Sequence, residues 1–398
     1  MQVVGNLVQH GHNWWGFFAT ENTNILEEAL FCLCAFCGKF PNPTEPRRPM
    51  TKKVYIAYTG GTIGMQQVNG RYLPIPNFLQ QLMADNPAFH HPELPHFTIH
   101  QYDPLLDSPN MTPGDWSRIA TDICDHYDAY DGFIVLHGTD TMAYTASALA
   151  FMLDGLGKPV ICTGSQIPLC ELRNDAQDNL IAALLLAAHY PIPEVCLLFH
   201  SHLLRGCRVV KVDADGFDAF QSPNCPPLAT LGIAVEVNWA VVKRPFPPSQ
   251  GDLSTHLPPI NLQTIREPGE VGALRLYPGM SARILANVLQ PPLRGLVLET
   301  YGAGNAPTND PAFLQVLADA IARGVVIVDC TQCLRGTVDL SKYATGSALA
   351  DIGLLSGYDM TAEAALTKLA YLLSIESDIE VVKIKMQQNL RGELTPSN

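Results

Sequence analysis

Basic side chains are scarce in this chain of 398 residues: 25 Lys and Arg stand against 38 Asp and Glu, a formal net charge of −13. A field of that sign repels phosphate backbones and anionic headgroups, so neither a nucleic-acid nor a membrane partner is expected. Long apolar runs are missing as well. The longest, 29–37 and 180–188, have nine residues each, about half of the roughly 20 that a membrane span needs. The first 38 residues hold no Lys or Arg, so the charged start of a secretory signal is lacking. Cysteine is present without forming a framework. Its count, 11, is odd and spread over a long chain, the pattern of free thiols in a reducing compartment. A cytoplasmic protein is the expectation. Two nucleotide signatures are absent: no G-x-x-x-x-G-K-[ST] occurs, and the Gly-rich loop at 59–64 is not G-x-G-x-x-G.

What remains is apolar enough, at 47% hydrophobic residues, to build a large core, and the length suggests two domains. Residues 1–50 differ from the rest. They hold Trp14 and Trp15, the cluster Cys32, Cys34 and Cys37, and a Pro-rich stretch over 40–49. The cysteines lack a fourth ligand at a zinc spacing, so no metal is expected. A short amphipathic helix fits 24–36. Met50 would make a natural start, and 1–50 is expected to be an extension, artefactual or poorly ordered. From Val54 onward, apolar runs of 5–6 residues alternate with helical patterns of 10–15. Strands are expected over 54–58, 132–137, 159–163 and 195–200, and helices over 142–153 and 175–189. A Pro-rich stretch over 243–269 reads as a linker, after which strands over 272–277, 295–300 and 324–329 alternate with helices over 281–289 and 311–323. Helices over 361–373 and 377–388 close the chain. This is the rhythm of βαβ units and a mostly parallel sheet. The expected fold is α/β: a larger N-terminal catalytic domain (51–243), a linker (244–269) and a smaller C-terminal α/β domain (270–398).

Open α/β sheets bind ligands beyond the carboxyl ends of their strands. The first strand delivers Thr59, Gly60, Gly61 and Thr62. The second delivers Gly138, Thr139, Asp140 and Thr141, and the third Gly164, Ser165 and Gln166. A hydroxyl set among glycines just after a strand is approachable, but Thr is a weak nucleophile until a neighbour takes its proton. No His stands in a Ser-His-Asp order. Tyr72 and Lys211 are the candidate activators, and a Lys beside Asp140 can shuttle a proton through a Thr hydroxyl. The glycines are equally consistent with a plain turn that needs positive φ. His200-Ser201-His202 places two imidazoles on one side of a strand end but lacks a third metal ligand nearby.

At these residues a resemblance becomes specific. Tyr58-Thr59-Gly60-Gly61-Thr62-Ile63-Gly64 and His137-Gly138-Thr139-Asp140-Thr141-Met142 resemble the two signature motifs of the bacterial-type L-asparaginases. Leu106-Asp107-Ser108-Pro109-Asn110-Met111, Thr163-Gly164-Ser165-Gln166-Ile167-Pro168, Leu204-Arg205-Gly206 and Tyr301-Gly302-Ala303-Gly304-Asn305-Ala306-Pro307 resemble the cytoplasmic type I branch, as do 214–220 and 389–394. The likeness runs from about 52 to 396. It implies hydrolysis of L-asparagine to L-aspartate and ammonia with no cofactor and no metal. In its terms Thr62 is the nucleophile and forms a β-aspartyl enzyme. Tyr72, in a mobile lid, helps to activate it. Thr139, Asp140 and Lys211 form a second hydroxyl-based triad. Asp107 and Ser108 grip the α-amino and α-carboxylate groups, helped by Gly61, Gly138, Thr139 and Asp140. The family assembles as a homodimer or homotetramer, a dimer of dimers, in which Asn305 reaches across from the partner subunit. Where some type I members bind an allosteric asparagine, the pattern has an Arg at Glu299 and a Thr at Val210, so such control is not expected. Two other functions fit the residues: a glutamine-hydrolysing amidotransferase-like subunit, whose extra β-rich domain 1–50 does not supply, and a non-enzymatic amino-acid-binding module.

Overall fold

The computed structural model describes residues 52–243, 259–267 and 269–395. The extension 1–50, its cysteine cluster and most of the Pro-rich stretch therefore lie outside the described residues. Among the described residues no helix is long and apolar enough to cross a membrane.

The larger lobe is built on strands β1 (Lys53–Gly60), β4 (His96–Leu106), β5 (Gly132–Leu136), β6 (Val160–Thr163), β7 (Val195–Phe199), β8 (His202–Arg205), β11 (Ala229–Leu231) and β12 (Val235–Val237). A hairpin of β2 (Met65–Val68) and β3 (Arg71–Pro74) follows β1, and β9 (Val210–Lys211) pairs with β10 (Phe220–Gln221). The eight strands lie in the order β12-β11-β8-β7-β6-β5-β1-β4. From β4 to β7 all neighbours are parallel, and from β7 to β12 they are antiparallel. Parallel strands covered on both faces must be apolar throughout, which is why β5 reads GFIVL and is wholly buried. Along β1 the side chains alternate. Tyr55 and Ala57 join the core made by helices α2 (Pro113–His126) and α3 (Met142–Met152), following α1 (Phe78–Asp85), whereas Val54, Ile56 and Tyr58 join that made by α4 (Ala176–His189). The chain leaves β1 for β4 on one side and returns to β5 on the other. The crevice beyond the ends of these three strands is therefore a topological switch point, where such sheets bind ligands.

The smaller lobe has four parallel strands, β13 (Val271–Arg275), β14 (Gly295–Thr300), β15 (Val326–Thr331) and β16 (Leu355–Ser356), in that order. Helices α5 (Ala282–Val288) and α6 (Pro311–Ala322) share one apolar core with it, and α7 (Ala344–Asp351) adds Leu349. On the other face α8 (Ala362–Ile375) shares a core with α3 of the larger lobe, joined by α9 (Ile379–Met386). The strand expected over 324–329 lies two residues further on. Gly324, at φ +92, ends α6 in the left-handed conformation instead of opening β15. Of the Pro-rich stretch, the described part runs along the larger lobe: Asn261–Leu262 pairs with Leu153–Asp154, Ile265 is buried, and Glu267 accepts the Gly114 N–H at 2.8 Å.

One buried acid of the smaller lobe makes a stability prediction. Asp329, wholly buried on β15, takes the Thr300 hydroxyl on Oδ1 at 2.6 Å, and its Oδ2 has no hydrogen-bond partner among the described residues. Burial pushes its carboxyl up from 3.8 to about 7. A carboxyl raised on folding favours the folded state while neutral. Its contribution is whole below 3.8, falls by about 1.4 kcal/mol per pH unit between 3.8 and 7, and is gone above. Asp329→Asn should therefore leave the melting temperature near that of wild type at pH 4 and raise it by several degrees at pH 7.5. Equal melting shifts at the two pH values would refute the assignment of a neutral acid.

Candidate active site

Three loops meet beyond β4, β1 and β5 so closely that their backbones touch. Gly60 (φ +140) ends β1 and Gly61 (φ +91) follows it, and a Cβ on Gly60 would lie 2.0 Å from the Leu106 carbonyl oxygen. A Cβ on Gly61 would lie 2.5 Å from the Gly138 nitrogen, and one on Gly138 2.5 Å from Ser108 Oγ. Gly60 and Gly61 thus serve positive φ and close approach together, whereas Gly138, at φ −67, serves close approach alone. They bring Thr62, Ser108 and Thr139 to one place. Thr62 opens a single 3-10 turn (Thr62–Gly64) and is half-buried, and its hydroxyl has no hydrogen-bond partner among the described residues. Asp107 is exposed at the rim and its carboxylate is likewise unengaged there, whereas Ser108 is buried. Thr141 Oγ1 ties the loops by donating to the Ser108 carbonyl at 2.8 Å.

On the far side of Thr139 the geometry is a charged fork. Lys211 Nζ, at the end of β9, donates to Thr139 Oγ1 and to Asp140 Oδ1, both at 2.8 Å. The Lys211 side chain is mostly buried and that of Asp140 mostly open, at 19% and 61% exposure. Thr139 Oγ1 also lies 3.3 Å from Gln166 Oε1. Gln166 is fixed from both ends. Its N–H donates to the buried Asp175 carboxylate at 2.9 Å, and its Nε2 donates to the Gly216 carbonyl at 3.0 Å. The Gly216 turn is itself shaped by Asp213, which accepts the Asp215 and Gly216 N–H groups; those two bonds hold the Asp213 carboxyl below its ordinary range.

A buried chain underlies the Gly138 loop. Trp116 Nε1–H donates to Thr145 Oγ1 at 3.0 Å, and the Thr145 hydroxyl meets His137 Nε2 at 2.8 Å. His137 Nδ1 lies 2.7 Å from the Gly138 carbonyl. Burial pushes the imidazole down to about 4, so it is neutral at neutral pH. Only one proton placement then satisfies every group: Nδ1–H donates to the carbonyl and Nε2 accepts from Thr145.

Thr62 and Tyr72 line one cleft of about 360 Å³ with Gln166, Ile167, Pro168 and Glu171–Arg173. Tyr72 stands on β3, partly exposed, and its hydroxyl donates to Glu171 at 2.9 Å. The structure thus gathers Gly61, Thr62, Tyr72, Ser108, Gly138, Thr139, Asp140 and Lys211, with Asp107 on the rim. It does not join Asn305 to them. Asn305 belongs to the Tyr301–Asn305 turn of the smaller lobe, and its amide oxygen accepts from Thr345 Oγ1. Val210 and Glu299 line a separate pocket of about 260 Å³, where Arg275 sits 3.5 Å from Glu299. His200 lies in the turn after β7, at φ +54, and His202 opens β8, so the two do not share one strand face. The sequence reading missed Asp175, Glu171, Thr145 and Trp116. For the last two a signal was present: Trp116 and Thr145 lie on apolar helical stripes where one polar atom must find a partner.

Two family descriptions match the chain: "Asparaginase, N-terminal" over residues 53–243, and "Glutaminase/Asparaginase C-terminal domain" over 270–386. L-asparaginase 1 of Escherichia coli K12 is 55% identical over 347 residues, which cover 87% of this chain and 99% of that protein. Among solved structures, L-asparaginase I of Vibrio cholerae superposes with a TM-score of 0.78 at 52% identity, covering 87% of this chain and 99% of that one. The thermostable L-asparaginase of Thermococcus kodakarensis gives 0.74 at 35% identity, with 87% and 100% covered.

Proposed function

The chain belongs to the asparaginase family, and from that premise we propose that Thr62 is the nucleophile with which it hydrolyses L-asparagine to L-aspartate and ammonia. The observation that carries this reading is the fork of Lys211 on Thr139 and Asp140, at 2.8 Å each, beside a loop that presents an unengaged Thr62 hydroxyl. A zwitterionic amino acid needs carboxylates for its ammonium and donors for its carboxylate. Asp107 and Asp140 supply the first, Ser108 and the backbone N–H groups around Gly61 and Gly138 the second. In the first half-reaction the bond from Thr62 Oγ to the side-chain carbonyl carbon forms, the carbon–nitrogen bond breaks, and the Thr62 proton ends on the departing ammonia. In the second, the oxygen of a water bonds to the ester carbon, the bond from that carbon to Thr62 Oγ breaks, and one proton of the water returns to Thr62 Oγ. Backbone N–H groups of the glycine loops face the oxyanion in both steps. Tyr72 takes the Thr62 proton as it passes its own to the departing nitrogen. Thr139 relays protons by accepting one as it passes its own on, while the Lys211 ammonium, held by Asp140, stabilises the charge on its oxygen. No cofactor enters these steps.

In this reading the enzyme is cytoplasmic and works as a homodimer or homotetramer. Residues 51–243 form the catalytic domain, 244–269 the linker and 270–398 the domain whose Asn305 serves the partner subunit's site. Ammonia release by the purified chain tests it, with asparagine and glutamine as separate substrates. Turnover of asparagine is expected. Glutamine turnover alone would favour an amidotransferase-like subunit, and calorimetric binding of asparagine without ammonia release would favour a binding module.

A further inference from the structure

The segment between β6 and α4, residues 164–175, is bound to both halves of the site. Towards the nucleophile, Leu169 N–H donates to the Ile63 carbonyl at 3.1 Å and Cys170 Sγ lies 3.5 Å from the Met65 carbonyl oxygen. The Tyr72 hydroxyl donates to Glu171 Oε1 at 2.9 Å. Towards the fork, Gln166 meets Thr139. Glu171 is presented from a firm turn. Its N–H donates to the Pro168 carbonyl at 3.0 Å, and its carbonyl accepts Asn174 Nδ2 at 2.7 Å. Asn174 Oδ1 in turn takes the Gln177 N–H in the first turn of α4. Beyond the Cys170 contact at Met65, the hairpin that carries Tyr72 has no such turn-fixing side-chain bonds among the described residues. It is an isolated two-stranded ribbon, Tyr72 and Leu73 are 43% and 45% exposed, and a lone hairpin is marginally stable in water.

We propose that Glu171 is the positioning residue of Tyr72: its carboxylate anchors the β2–β3 hairpin beside Thr62 and keeps the resting phenol protonated, so that as the phenol oxygen takes the Thr62 proton its own proton passes on to the departing nitrogen. The proposal deepens the reading of Thr62 and Tyr72 given above and rests on it. The hydrogen bond to Glu171 raises the phenol above the ordinary Tyr range, with desolvation and the Glu171 and Cys170 charges adding to it. Arg173 shares the cleft and Arg71 precedes Tyr72 on its own strand. The phenol therefore stays protonated at neutral pH, as a proton relay requires.

The test is a double-mutant cycle in the full chain, with Tyr72→Phe and Glu171→Leu alone and together, and Glu171→Gln as the conservative variant. Glu171→Leu should lower kcat/KM by about ten- to a hundredfold, mostly through kcat. Glu171→Gln keeps an acceptor oxygen and should recover to within about threefold of wild type. In the Tyr72→Phe background, Glu171→Leu should change little further, because its effect runs through the phenol. The alkaline limb of kcat/KM should move to lower pH in Glu171→Leu, a shift that loss of packing alone does not produce. Three results overturn the proposal: Glu171→Leu within twofold of wild type, effects that add in the double variant, or Glu171→Gln as damaged as Glu171→Leu. Any of these with an active wild type rejects the role of Glu171 alone. A wild type that releases no ammonia rejects the function on which that role stands.

Discussion

Thr62→Val should lower asparagine turnover by at least ~1,000-fold while the protein folds and melts as before, the size of loss seen when a catalytic hydroxyl is removed from an acting nucleophile. Val keeps the β-branched shape and replaces only the hydroxyl, by a methyl group. In the structure that oxygen makes no hydrogen bond among the described residues, so its loss strands no partner and costs little stability. The turn that places it depends on other groups: Gly60 and Gly61 at positive φ, the Gly64 N–H reaching back to the Gly61 carbonyl, and Leu169 N–H on the Ile63 carbonyl. None of these is touched. The measurements are ammonia release at saturating asparagine and a melting curve. Turnover within tenfold of wild type, with an unchanged melt, would sink the nucleophile assignment and shift attention to Thr139, the other hydroxyl of the cluster.

The loops of the candidate site were legible because two local signals coincide there. A strand buried on both faces must be apolar without interruption, so β1, β5, β6 and β7 stand out as VYIAY, GFIVL, VICT and VCLLF. The glycine-flanked hydroxyls that follow mark the only ends a chain must expose. Strand β4 gave no such signal. It is the edge of the sheet, reads HFTIHQYDPLL, and alternates polar with apolar residues along a half-covered face. Helix α2 was passed over although its start is written locally. Thr112 and Asp115 cap each other reciprocally, Pro113 opens the first turn, and Trp116, Ile119, Ala120 and Ile123 form its buried stripe. Asp175 and Glu171 belong to another class. Each acts on a group distant in the chain or at a loop whose course only the folded sheet decides: Tyr72 is 99 residues from Glu171, and no spacing rule links them.

Lys211→Met and Asp140→Asn should separate the two tasks of the charged fork. Lys211→Met removes the ammonium that donates to Thr139 Oγ1 and Asp140 Oδ1, but its aliphatic stem remains. Asp140 is largely open to solvent, so its freed carboxylate is rehydrated and the melt should hardly change. What is lost is stabilisation of charge on the relaying hydroxyl. The expected effect is a fall in kcat of about 100- to 10,000-fold, the usual span for a general acid–base partner, with KM nearly unmoved. Asp140→Asn keeps an oxygen that accepts from Lys211, yet it removes the negative charge that, in the proposed reading, faces the substrate's ammonium. One charge-assisted hydrogen bond contributes roughly 1.5–3 kcal/mol, so KM should rise about ten- to a hundredfold. A smaller fall in kcat should accompany it, because Lys211 loses its counter-charge. Since both residues act on one hydroxyl, the double variant should be little slower in kcat than Lys211→Met alone. Steady-state kinetics over a wide range of asparagine reads all of this at once. If both single variants kept wild-type kcat and KM, Thr139, Asp140 and Lys211 would be a structural cluster. If Lys211→Met raised KM and spared kcat, the lysine would hold substrate instead of serving the proton relay.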